Sequence, residues 1–196
     1  MTTLTPENST RTVPCDSVDT QPVATVSQIQ ALPTRYNGFL CRSRLEARWM
    51  VFFDSIGIEY WYEPEGFRLK SGELYLPDFF LPHIAYWAEV KPFTMTTPEV
   101  LKADDLAKES GRPVLALEGP PDFKVYQCIY PNADVYGASE ALPVLLDIEY
   151  HDRKFYDGER RLFADPIGAF KREDDFSDQY RAAVYKSRAE RFGVHE

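Results

Sequence analysis

The sequence predicts an α/β fold, with helices laid against a sheet, and three observations carry that expectation. Leu45, Trp49, Phe52 and Ile56 recur at three- and four-residue steps, the single apolar stripe of an amphipathic helix. Aromatic-rich or alternating stretches at 59–69, 74–80 and 84–90 follow as strand candidates. After a second helical stretch comes Pro113-Val114-Leu115-Ala116-Leu117, a short apolar run of the kind that parallel pairing favours.

Length and composition bound the rest. A chain of 196 residues with 44% apolar and 14% aromatic side chains fills one core and is too short for two ordinary domains. No apolar run approaches the roughly 20 residues of a membrane span, and the opening residues show no basic region followed by an apolar one, so the expected location is cytoplasmic and no membrane partner is expected. Cys15, Cys41 and Cys128 are odd in number and widely spaced, which reads as reduced thiols. His83, His151 and His195 are equally scattered, so a metal would be held by oxygen. The net charge of −9 argues against a protein that coats nucleic acid through many Lys and Arg. It does not exclude a nuclease, because bound cations and a local basic patch serve instead, and Arg35, Arg42, Arg44 and Arg48 gather around the start of the first helix.

Residues 1–34 are expected to form a flexible tail: Thr, Ser, Pro, Gln and Val dominate it, too little apolar bulk to offset the entropy of ordering. Val23-Ala24-Thr25-Val26 leaves open an extended arm packed on the domain or on a neighbouring subunit. The first helix runs from Ser43 to about Ile56 and stops at Gly57; Ser43 with Glu46 three residues on fits a capping box. A hairpin follows, its first strand in Glu59–Leu69, its turn at Lys70–Glu73 and its second strand from Leu74 to Phe80. A third strand, Ile84 to Val90, ends before Pro92, which can donate no ladder hydrogen bond. Thr97 is read as the cap of a second helix, with Pro98 in its first turn and Gly111 at its close. Beyond Gly119 the pattern gives a strand at Lys124–Tyr130, a short helix at 139–146, a hairpin over 148–163 turning at Asp157-Gly158, and an exposed terminal helix between Phe176 and Phe192. The domains read as a core over 35–136 and a C-terminal extension over 137–196.

Charge stands where core is expected. Asp78 lies among Tyr75, Leu76, Phe79 and Phe80, and Glu89 and Lys91 flank Val90 at the end of an apolar strand. Residues two apart on a strand share a face, so Glu89 and Lys91 point together while Val90 offers a backbone carbonyl, and a hairpin partner can bring Asp78 alongside. Two carboxylates, a carbonyl and waters form an all-oxygen set of the kind that Mg²⁺ prefers, with Lys91 available to steady a phosphate or a water. The bland alternative is a structural ion pair between Lys91 and one carboxylate. Glu63 and Glu65 read either as second-metal ligands or as solvent-facing charges, His83 as a loop residue, and Tyr60, Trp61 and Tyr62 either as core or as a stacking surface for bases.

Taken together, Pro77-Asp78, ten intervening residues and Glu89-Val90-Lys91, behind a helix that opens Arg42-Ser43-Arg44-Leu45-Glu46-Ala47-Arg48-Trp49, resemble the PD-(D/E)xK nuclease superfamily. The motif is most similar to those of phage Holliday-junction endonucleases and transposon end-cleaving endonucleases, over about Tyr36 to Leu117. The resemblance implies a restriction-endonuclease-like α-β-β-β-α-β core with a mixed central sheet flanked by helices. It implies a Mg²⁺-dependent endonuclease, with Mn²⁺ as substitute, cutting DNA that is branched or belongs to a mobile element. It implies that Asp78, Glu89, the Val90 carbonyl and Glu46 hold the metal, with Lys91 as the catalytic cation beside the catalytic carboxylates Glu46, Asp78 and Glu89. Arg42, Arg44 and Arg48 are the candidate phosphate contacts, and a homodimer or larger nucleoprotein complex the expected assembly. Pro92 departs from the pattern, where many relatives carry Gly after the Lys. It leaves open a non-catalytic nucleic-acid-binding or protein-interaction module that retains the fold.

Overall fold

The computed structural model describes residues 31–131, 142–150, 160–166 and 173–193. Residues 1–30 of the expected tail, with Cys15 and the Val23–Val26 stretch, and His151, His195 and the Asp157-Gly158 turn lie outside the described residues, while Thr34, at the end of the expected tail, is buried and opens a strand. Those that are described belong to one compact unit, Ala31–Glu196.

A hairpin of β1 (Thr34–Tyr36) and β2 (Phe39–Cys41) opens the unit. It turns at Asn37-Gly38, both at positive φ, the conformation that this pair adopts most readily. Helix α1 (Arg44–Ile56) begins at Ser43, whose hydroxyl accepts from the Glu46 N–H, and ends at Gly57 in the left-handed region. Its stripe of Trp49, Phe52, Phe53 and Ile56 is fully buried.

The two long hairpin strands are each broken in two. The first is β3 (Trp61–Tyr62) and β4 (Phe67–Arg68); the second is β5 (Leu74–Tyr75) and β6 (Phe79–Leu81). Pro64 and Pro77 stand in the breaks and offer no ladder N–H. Consequently β4 and β5 pair as a separate ribbon, while β3 pairs with β6 in the main sheet. β7 (Tyr86–Lys91) ends just before Pro92. Helix α2 (Thr97–Ser110) starts one residue earlier than its pattern suggests: Thr96 is the cap, because Glu99 closes a capping box onto it. Then come β8 (Val114–Glu118), β9 (Tyr126–Ile129), β10 (Leu142–Tyr150), β11 (Arg160–Pro166) and helix α3 (Asp178–Ala189).

Among the described residues the central sheet has seven strands in the order β11-β10-β9-β8-β7-β6-β3. Only the β7–β8 pair, joined through α2, is parallel, so the sheet is of mixed orientation. One face carries α1 and α3 over Phe79, Leu81, Ala88, Val90, Leu115 and Leu117; the other carries α2 over Phe80, Trp87, Val114 and Ile129.

Two expectations for the C-terminal part are overturned. Residues 142–146 belong to a strand rather than a helix, because the open edge of β9 supplies ladder partners that a short helix with Pro143 inside it lacks. The terminal helix is docked rather than exposed: Tyr180, Ala183, Val184 and Ser187 are buried, and Tyr180 packs edge-on against Phe52 of α1. No helix among the described residues is long and apolar enough to cross a membrane.

Candidate active site

The site follows from register. β6 and β7 pair antiparallel with Phe79 opposite Ala88 and Phe80 opposite Trp87, and one further step sets Asp78 opposite Glu89. Opposed residues share a face, so the two carboxylates lie side by side on the α2 face of the sheet. The residue that this register brings opposite Val90 is Pro77, which has no N–H for the Val90 carbonyl. The Val90 N–H donates to the Asp78 side chain, to Oδ2 at 2.7 Å. Pro77 thus leaves the Val90 carbonyl without a ladder donor, while Asp78 takes the Val90 N–H with its side chain.

Asp78 and Glu89 are 5% and 3% exposed, which is costly for two neighbouring acids. Burial raises Asp78 above the ordinary carboxylate range, and the charge of Glu89 raises it further; the Val90 N–H and the Arg42 guanidinium pull the other way. Burial raises Glu89 as well, against the Lys91 ammonium and the Tyr75 phenol, which favour its charged form. Lys91 Nζ lies 3.3 Å from Glu89 Oε2 and 3.8 Å from Glu99 Oε1 at the start of α2. Glu89 Oε1 is buried and has no hydrogen-bond partner among the described residues.

Arg42, one residue ahead of the α1 cap, reaches into this cluster. Its Nη2 meets Asp78 Oδ1 at 2.8 Å and its Nε meets Glu63 Oε1 at 2.5 Å. Glu63 continues the row of carboxylates from β3, since its N–H donates to the Asp78 carbonyl at 2.9 Å. It is thus an ion-pair partner of Arg42 rather than a charge facing solvent. Glu65 lies apart, against Trp61 and Pro64. Glu46 is buried at the first turn of α1, where Oε1 accepts from the Ser43 hydroxyl at 2.6 Å and Oε2 from the Tyr62 hydroxyl at 2.7 Å and the Arg42 N–H at 3.0 Å. Its carboxylate is close enough to raise Asp78 further by like charge. Its carboxylate does not close the expected capping box onto the Ser43 N–H; the Ser43 and Tyr62 hydroxyls and the Arg42 N–H hold it instead.

The other arginines separate. Arg48 points away from the carboxylates: its Nη1 donates to the carbonyls of Ser187 and Arg188 at 2.7 and 2.9 Å, and its guanidinium lies over the Phe192 ring. The last carbonyls of a helix attract a cation, and α3 ends there, so Arg48 ties α1 to α3 and is not brought together with the carboxylates. Arg44 is half-buried, with an Nε that has no hydrogen-bond partner among the described residues. His83 sits in the turn between β6 and β7, and Cys41 and Cys128 are free, buried thiols. Tyr75 and Glu99 received no role from the sequence pattern, although Tyr75 opens the Pro-Asp stretch and Glu99 lies in the first turn of the helix after Lys91.

Among the described residues, no three His, Cys, Asp or Glu side chains form a complete metal cage. The donor set still suits a hard cation: two adjacent carboxylates raised chiefly by burial, Asp78 further by the charge of Glu89, and one carboxylate oxygen without a hydrogen-bond partner among the described residues. No protein-family model, curated protein or solved structure matches this chain, so the site is read from its own residues.

Proposed function

We propose that this chain is a divalent-metal-dependent endonuclease that hydrolyses phosphodiester bonds in DNA. The observation that carries the proposal is the buried pair Asp78 and Glu89, with one unpartnered oxygen, beside the ammonium of Lys91. Two adjacent acids held in low dielectric, each with one partly exposed counter-ion, Arg42 or Lys91, are costly unless a further cation or a proton arrives. In the proposal Asp78, Glu89 and the Val90 carbonyl hold Mg²⁺ or Mn²⁺, and Glu46 supports them from α1. The cation supplies charge against the negative charge that develops on the scissile phosphate.

The chain's own groups do the rest. The Val90 N–H fixes the Asp78 carboxylate, and Glu89 is oriented by Lys91 and Tyr75. Lys91, 21% exposed, reaches from Glu89 to incoming substrate and holds a phosphate oxygen or the attacking water. Arg42 is half-exposed, so its guanidinium can pass from Asp78 to a phosphate as substrate enters. Arg44 is the second phosphate contact in this reading. Cutting both strands of a duplex requires two such sites, hence two copies or a larger nucleoprotein complex.

Purified protein should nick or cut DNA with Mg²⁺ or Mn²⁺ and lose this activity on Asp78→Ala, Glu89→Gln or Lys91→Ala; activity surviving all three changes sinks the assignment. One observation favours a second reading. The Arg42–Asp78 ion pair already supplies a positive charge where the metal would bind, as expected of a non-catalytic module that retains the architecture. Titration calorimetry with Mn²⁺ separates the two, since the module binds no metal while folding intact.

A further inference from the structure

Beside the carboxylates lies a second, different row of side chains. Trp61 on β3 is opposite Phe80 on β6, and Phe80 is opposite Trp87 on β7. The three rings step across the sheet edge with centroids 5.4 and 4.8 Å apart. Along β6 and β7 this row is two residues from the acidic pair, Asp78 before Phe80 and Glu89 after Trp87. Because residues two apart share a face, the aromatic row and the acidic pair lie on the same side of the sheet, separated by about 7 Å.

Phe80 and Trp87 are buried under α2, whereas Trp61, at the outer end of the row, is exposed. Trp61, Phe80 and Trp87 line a pocket of about 480 Å³ with Pro64, Glu65 and Arg112. That volume is in the range of small-ligand sites. Trp61 is 48% exposed, although a tryptophan of an ordinary core strand is covered. The buried Trp87 Nε1–H has no hydrogen-bond partner among the described residues. Arg112 is exposed and places its guanidinium 5.3 Å from the centroid of the Phe80 ring.

Two chemistries suit an aromatic pocket: a quaternary ammonium and a flat heteroaromatic ring. Arg112 decides between them, because a cation already lies on Phe80 and would repel a second. The same guanidinium favours a ring that carries a phosphate. We infer that this pocket takes an unpaired nucleobase of the DNA substrate, stacked on Trp61 with Arg112 on the adjoining phosphate, so that cleavage takes place beside an unstacked nucleotide. This rests on the nuclease reading for the position of the cut, but not for binding itself. A base inside a duplex cannot reach such a pocket without leaving its stack, so single-stranded or branched DNA is the substrate class.

The test uses fluorescence anisotropy of the full chain, in EDTA so that no cutting intervenes, with a labelled oligothymidylate, the same oligomer made abasic and a duplex. Thymidylate should bind at least tenfold more tightly than the abasic strand, a stacking contribution of the size measured for single bases. Trp61→Ala should abolish that difference, Trp61→Phe should keep most of it, and Arg112→Ala should weaken both strands alike. Trp61 is half-exposed, so its removal leaves the core intact, and a thermal melt of each variant confirms it. Equal affinity for thymidylate and abasic strands overturns the inference, as does a Trp61-dependent complex with a trimethyllysine peptide but none with DNA. Metal-dependent cutting that ignores Trp61→Ala overturns it while leaving the nuclease reading intact; Trp61-dependent binding without any cutting does the reverse.

Discussion

Arg42 Nη2 and Asp78 Oδ1 form a 2.8 Å ion pair that links the start of α1 to the carboxylate row of the sheet. Arg42 is half-exposed and Asp78 buried, so the pair balances a charge that the fold cannot solvate with a side chain that can leave. Replacing Arg42 by Ala should therefore have opposite effects on stability and on metal affinity. Without metal, and above about pH 8 where Asp78 is ionised, Asp78 and Glu63 lose their counter-ion and the protein should be about 1 kcal/mol less stable, since a half-exposed partner limits the cost. With Arg42 gone, Asp78 Oδ1 is free and the site more negative, so Mn²⁺ should bind more tightly. Melting in EDTA and Mn²⁺ calorimetry check the two halves; weaker Mn²⁺ binding by the variant would exclude competition between Arg42 and a cation.

The same carboxylates set a pH dependence. In the unfolded chain Asp78 releases its proton near 3.8, whereas in the fold its pKa rises to about 8, chiefly by burial and then by Glu89. Between these values the folded state binds the extra proton, so the metal-free protein should lose stability as pH rises from about 4 to about 8. Glu89→Gln removes the neighbouring charge without removing bulk. Its melting temperature in EDTA should exceed that of the wild type at pH 8 and match it more nearly at pH 5. Mn²⁺ should raise the wild-type melting temperature most at pH 8 and leave Glu89→Gln almost unmoved. A wild-type stability that climbs between pH 5 and 8 in EDTA would show that the pair is not held in this way.

The contacts of Arg48 predict a role in stability rather than in substrate binding. Its guanidinium bridges the Ser187 and Arg188 carbonyls and lies over Phe192, so Arg48→Ala should destabilise by about 1–2 kcal/mol through loss of charged hydrogen bonds at a helix end. At this chain length that is roughly 2–8 °C in Tm. DNA affinity, measured on the folded variant, should stay within twofold of the wild type. A large loss of affinity with an unchanged melt would return Arg48 to the phosphate contacts.

What the sequence made legible was local. The α1 stripe, the Ser43 cap and the breaks at Gly57 and Pro92 all depend on neighbours within one or two turns, and each appears in the structure. The juxtaposition of Asp78 with Glu89 was legible for the same reason, because one tight connection between adjacent strands sets their register. The arginines were not, since their partners are remote: Arg42 reaches 36 residues along the chain to Asp78, and Arg48 reaches 139 to Ser187. A basic cluster read from spacing alone looks like a phosphate surface, whereas the fold assigns one member to acids and another to a helix end. The hairpin expected over 148–163 is seen in the pairing of residues 148–150 with 160–162, but the strand at 142–146 escaped for a related reason. Its ladder partners, β9 and β11, are supplied by the sheet rather than by its own sequence.

The docking of α3 predicts that the C-terminal part is integral to the fold and not an appendage. Tyr180 is fully buried, stacks on Phe176 at 4.7 Å, meets Phe52 at 5.1 Å and donates to the Asp122 carbonyl at 3.1 Å. Deleting that ring leaves a cavity between α1 and α3, so Tyr180→Ala should cost about 3–5 kcal/mol, the range of buried aromatic truncations. Tyr180→Phe retains the packing and should cost only about 1 kcal/mol for the hydroxyl. Denaturant melts give both values, and a fragment ending at residue 136 should fail to give a cooperative transition because the α1 face that meets α3 is then exposed. If that fragment melts cooperatively at the wild-type midpoint, the boundary read from the sequence at 136 is restored and α3 is only an attachment to an independent core.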